Sequence, residues 1–114
     1  MHELSVTENL LEITLRHAQK ASAKSVTNIY IVIGQLSSIV DDSVTFYWDL
    51  IAKDTIAQDA KLHFERIAIR LACLECSHEY QPDGDDLSCP KCHSSHIKIL
   101  NGEEFFVEAI DIEN

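Results

Sequence analysis

The chain has 114 residues, 46% hydrophobic and 25% charged, which suits one folded domain or one domain with a small appendage and excludes a large multidomain enzyme. Nineteen acidic against nine basic residues give a net charge of −10; residues 73–114 alone hold ten acidic and two basic residues, the wrong sign for gripping a phosphate backbone. No apolar run is long enough to span a bilayer, and Glu3, Glu8 and Glu12 fall where a secretory leader would be basic and then apolar, so a cytoplasmic protein without membrane or nucleic-acid partners is expected.

The chain opens with Met1-His2-Glu3. A bulky second residue blocks methionine removal, so His2 is expected to stay second. The terminal amine, the His2 amide nitrogen and the imidazole Nδ1 can then close fused five- and six-membered chelate rings in one plane, with the Glu3 amide or carboxylate near a fourth position. Planar nitrogen donors suit Ni(II) or Cu(II). Histidine at position two is also a common accident of sequence, so by itself it identifies no metal.

Residues 4–20 place Val6, Leu10, Ile13 and His17 at helical spacing, and Ser5-x-x-Glu8 resembles a capping box, which predicts a helix preceded by a short projecting arm, Met1-His2-Glu3. Val26 to Gly34 is β-branched and apolar almost throughout, the pattern of a strand covered on both faces. Asp41-Asp42-Ser43 offers capping side chains for a second amphipathic helix carrying Val44, Tyr47, Trp48 and Ile51, with Trp48 expected in the core. In residues 61–72 the alternation changes phase near Glu65-Arg66, which predicts a bulge or bend there and leaves His63 facing solvent.

All four cysteines, Cys73, Cys76, Cys89 and Cys92, form the pattern C-x2-C-x12-C-x2-C, close to that of zinc ribbons. Two residues between cysteines let a tight knuckle aim both sulfurs at one point, and two knuckles close a tetrahedron. Pro90 presets one turn, and residues 82–85 supply the reversal between knuckles. Disulfides are rare in a reducing cytosol, and a rubredoxin-like iron centre would want more aromatics than Tyr80, so structural zinc is the leading reading. Four thiolates leave no position for substrate. His78 and His93 lie beside the cysteines in sequence, either as solvated knuckle residues or as a pH-responsive shell.

Asn101-Gly102 marks a turn, and Glu104 to Ile112 reads as a final strand. The expected architecture is α+β: a small three-stranded sheet, two helices and an inserted zinc-ribbon module. Residues 1–72 with 102–114 would form the α/β domain, and residues 73–101 the ribbon.

The opening MHELSVTENLL, the segment IVIGQLSSI, and the pair CLECSHEY and CPKCHS together resemble the HypA/HybF family of hydrogenase nickel-incorporation proteins across nearly the whole chain. The resemblance implies a nickel metallochaperone: Ni(II) as cargo at Met1, His2 and Glu3, Zn(II) at Cys73, Cys76, Cys89 and Cys92, and delivery to the NiFe hydrogenase large subunit with the GTPase HypB as partner. Some members also serve urease. In certain members an acidic residue after the first strand, or a histidine of the zinc module, contributes near the nickel; Asp41, Asp42 and His96 are the nearest candidates here. A monomer or weak homodimer is the expected state. The rivals are a zinc-ribbon adaptor or interaction module without nickel transfer, and a small enzyme; the second lacks an open metal position and any cysteine outside the tetrad.

Overall fold

The structure is a computed structural model that describes residues 2–114; Met1 and the His2 side chain lie outside the described residues, and with them most of the expected nickel site. The elements run α1 (His2–Lys20), β1 (Ser25–Gly34), α2 (Asp41–Ile51), β2 (Lys61–Ile67), β3 (Arg70–Cys73), β4 (Glu79–Tyr80), β5 (Ile97–Asn101) and β6 (Phe105–Glu113). They form two three-stranded sheets, ordered β2-β1-β6 and β4-β3-β5. The α+β class with two helices and a cysteine module is therefore as expected. The second sheet is an addition: its strands are as short as two residues, too brief for an alternation pattern to register.

The chain divides into two compact units, one of Met1–Val32, Ser38–Glu65 and Phe106–Asn114, the other of Ile33–Ser37 and Arg66–Phe105. The core of the first contains Leu10, Ala18, Val26, Ile29, Ile31, Val44, Trp48 and Ala57. Trp48, 1% exposed, is a core residue as its stripe predicts.

Several local expectations are corrected. Helix α1 starts at His2, so Ser5 sits inside the helix and does not cap it, and Glu3 belongs to the first turn and not to a projecting arm. The buried stripe of α1 runs through Thr7, Leu10, Thr14 and Ala18, while Ile13 is 37% exposed and His17 is exposed. Two threonines disguised this face: their small side chains fit the helix packing, and Thr7 Oγ1 donates to the Glu3 carbonyl. The N-cap of α2 is Val40, which has no side-chain oxygen, so Asp41 and Asp42 lie in the first turn, where negative charge favours the helix dipole. The break between β2 and β3 falls at residues 68–69, a few residues later than the phase change suggests, because Gln35 holds it from both sides: its N–H donates to the Ile67 carbonyl at 2.8 Å, and its Oε1 accepts from Ile69 N–H at 3.1 Å.

His63 does not simply face water. Its Nε2 lies 2.8 Å from Asn28 Oδ1, and its ring stacks on Tyr30 with centroids 4.8 Å apart. Asp111 on β6 accepts from Asn28 Nδ2 at 3.1 Å and from Tyr30 Oη at 2.8 Å. One polar network thus ties all three strands of the first sheet together.

Candidate metal centre

Each pair of cysteines sits on the same backbone device. Cys73 N–H donates to the His78 carbonyl and Ser77 N–H to the Cys73 carbonyl; sixteen residues later, Cys89 N–H donates to Ser94 and His93 N–H to Cys89, all at 2.9–3.0 Å. Ser77 (φ 64°) and His93 (φ 63°) hold the left-handed turn at matching positions. The module is thus a repeat in backbone geometry that the residue identities conceal. Each turn aims an amide at a sulfur: Glu75 N–H to Cys73 Sγ and Lys91 N–H to Cys89 Sγ, both 3.4 Å.

The four sulfurs all lie within 4.8 Å of one another, with Cys73 to Cys92 at 3.4 Å and Cys76 to Cys89 at 3.6 Å. Zinc–sulfur bonds of about 2.3 Å in a tetrahedron separate sulfurs by about 3.8 Å. The donor set and spacing therefore fit zinc. Among the described residues, this is the one group of three or more His, Cys, Asp or Glu that could hold a metal.

Packing fixes the cluster. Cys73 and Cys89 are buried with Leu71 and Tyr80, and Ile69, Leu87 and Ile97 pack against them. Tyr80 pairs with Leu71 across β3 and β4, donates its hydroxyl to the Leu87 carbonyl at 2.6 Å, and stacks on His78. Cys76 and Cys92 are exposed, so the cluster has a buried side and an open side.

The thiols share protons unequally. Burial opposes ionisation of Cys89, but the Cys92 and Lys91 amides outweigh it and bring the thiol down to about 6. The Cys76 and Glu75 amides likewise lower Cys73. Although the Ser94 amide favours its thiolate, Cys92 is pushed up to about 12 by its neighbouring cysteines and by desolvation. A bound dication removes this inequality by ionising every ligand.

The remaining candidates are dispersed. His96 Nδ1 pairs with Glu75 at 3.2 Å on the exposed surface, and its carbonyl accepts from Leu74 N–H at 2.9 Å, which braces the first knuckle. Asp41 is half-buried and Asp42 exposed at the start of α2. Glu3 reaches that same place: its Oε2 accepts from Val40 N–H at 3.4 Å. No spacing in the sequence announces this contact, because it joins residues 37 apart.

Comparison with known proteins gives a consistent result. Residues 1–112 match the family described as "Hydrogenase/urease nickel incorporation, metallochaperone, hypA". The chain is 38% identical over 114 residues to the hydrogenase maturation factor HypA of Dehalococcoides mccartyi, covering 100% of this chain and 96% of that one. It is 31% identical to the hydrogenase maturation factor HybF of Escherichia coli K12, covering 99% and 100%. The solution structure of the Ni metallochaperone HypA from Helicobacter pylori superposes with a TM-score of 0.71 at 26% identity, covering 97% of each chain.

Proposed function

The chain belongs to the HypA family of hydrogenase and urease nickel-incorporation metallochaperones, and from that premise we propose that it carries Ni(II) on its amino end and delivers it to the large subunit of a NiFe hydrogenase. In this reading Met1, His2 and Glu3 are the nickel donors, and Cys73, Cys76, Cys89 and Cys92 hold structural Zn(II). The GTPase HypB is the partner in loading, and urease maturation is a second class of client. The protein acts in the cytoplasm as a carrier and not as a catalyst.

The observation that carries the reading is the separation of donor chemistries. Every thiolate is committed to one closed cluster of tetrahedral size, so that cluster offers a planar ion nothing. The amino end offers nitrogen and carboxylate donors instead. Amides in the first turn of a helix have no acceptor within the helix, so ligation by a deprotonated His2 amide sacrifices no intrahelical bond. The α1 dipole disfavours a cation at that end, which keeps the ion exchangeable. Protons compete for the imidazole and the amine, so nickel affinity falls as pH drops.

Calorimetry with nickel on zinc-loaded, untagged protein tests the proposal. His2→Ala, or extension of the amino terminus by one residue, should abolish high-affinity nickel binding and leave zinc content unchanged. Unaltered nickel affinity in both variants would leave a zinc-ribbon adaptor as the better reading.

A further inference from the structure

The N-cap residue of α2 makes no side-chain cap hydrogen bond. A capping box uses a Ser or Thr at the N-cap and a Glu or Gln at N3, the latter reaching back to the N-cap N–H. Here the N-cap is Val40, in extended conformation (φ −101°, ψ 126°) with no side-chain cap, and N3 is Ser43, whose side chain is shorter than the Glu or Gln of that motif. The carboxylate that does reach the Val40 N–H comes from the other helix: Glu3 Oε2, at 3.4 Å. A group 37 residues upstream thus supplies the second half of the box.

We propose that Glu3 is a shared group, capping α2 while the amino-terminal donor set is empty and turning to the cation when it is filled, so that nickel loading loosens the first turn of α2. This rests on the amino-terminal nickel reading above. A carboxylate oxygen whose lone pairs face a dication is drawn from the amide hydrogen it had accepted, because the cation and the N–H compete for the same electrons. The Val40 N–H then loses this acceptor, and the N-cap has no side-chain oxygen to steady the turn in its place. Coupling of this kind is reciprocal: whatever steadies the formed first turn of α2 must weaken nickel binding.

Val40 is 52% exposed, so it can be substituted without opening the core. Val40→Ser adds an oxygen that accepts from an amide one turn in and so steadies the formed turn, leaves the Val40 N–H to Glu3 and adds no strong nickel donor; Val40→Ala controls for the lost side chain. Nickel affinity should be about two- to tenfold lower in Val40→Ser than in Val40→Ala, because the added cap favours the formed turn that nickel loosens. In the wild type, amide hydrogen exchange followed by NMR should show Val40 exchanging about tenfold faster at nickel saturation, with the Leu71 and Tyr80 amides of the zinc module unchanged. A residue that merely held the fold would give no nickel-dependent change. Nickel binding that depends on His2 but leaves Val40 exchange unaltered would overturn the shared role of Glu3 and leave the amino-terminal site standing. Equal affinities in the two Val40 variants would also count against it. Nickel binding indifferent to His2→Ala would remove the site and this coupling together.

Discussion

Gly34→Ala is the sharpest structural test of the IVIGQL segment. A Cβ built on Gly34 lies 2.0 Å from the Gly102 carbonyl oxygen, 2.1 Å from its carbon and 2.5 Å from Glu103 N. These are backbone atoms, so no side chain can swing aside, and restoring ordinary contact needs a displacement of about 1.5 Å. That shift removes two hydrogen bonds of 2.7 Å, Gly34 N–H to Glu104 O and Leu36 N–H to Gly102 O. At about 1 kcal/mol for each bond and about 1–3 kcal/mol for overpacking, the loss comes to about 3–5 kcal/mol. Gly84→Ala is the control: Gly84 has φ +69° but nothing within 4 Å of its added Cβ, so only the left-handed backbone costs, about 1–2 kcal/mol. Urea unfolding at constant zinc reads both. With a slope of about 2 kcal/mol per M, Gly34→Ala should lower the midpoint by roughly 2 M and Gly84→Ala by less than about 1 M. Equal shifts, or a larger one at Gly84, would refute the close-approach argument.

Other substitutions separate core from surface and site from scaffold. Trp48→Ala should cost about 3–5 kcal/mol in thermal unfolding, whereas Phe46→Ser, at a position 60% exposed on the same helix, should stay within about 0.5 kcal/mol. The hydrogen bond to Asp111 raises the Tyr30 pKa above its usual 10.0, so its contribution to stability is complete below that value and is lost as pH rises through the raised one; Tyr30→Phe should be less stable than wild type at neutral pH, with the gap closing in alkaline unfolding curves. Cys89→Ser should lower bound zinc below one per chain by atomic absorption and speed exchange of the Leu71 and Tyr80 amides, while the Ile29 and Ile31 amides stay protected.

What the sequence discloses follows from how local its causes are. The C-x2-C spacing is a local instruction for a knuckle, and the run from Val26 to Gly34 can hardly be anything but a covered strand, so cluster and sheet core are legible in advance. Helix α1 is legible as a helix but not by its inner face, because Thr7 and Thr14 are buried there and read as polar. The short strands β4 and β5 escape notice because they exist through pairing with β3 and not through their own pattern. The contacts of His63 with Asn28 and of Glu3 with Val40 join residues 35 and 37 apart, and only the fold brings them together.

The division of labour between two kinds of donor is tested most directly by X-ray absorption at the nickel edge on untagged, zinc-loaded protein with one nickel per chain. Nitrogen and oxygen scatterers are expected at nickel, with an imidazole shell that vanishes in His2→Ala, and the zinc edge should still show four sulfurs. Sulfur in the nickel shell, or zinc displaced from the cysteines as nickel enters, would contradict that division.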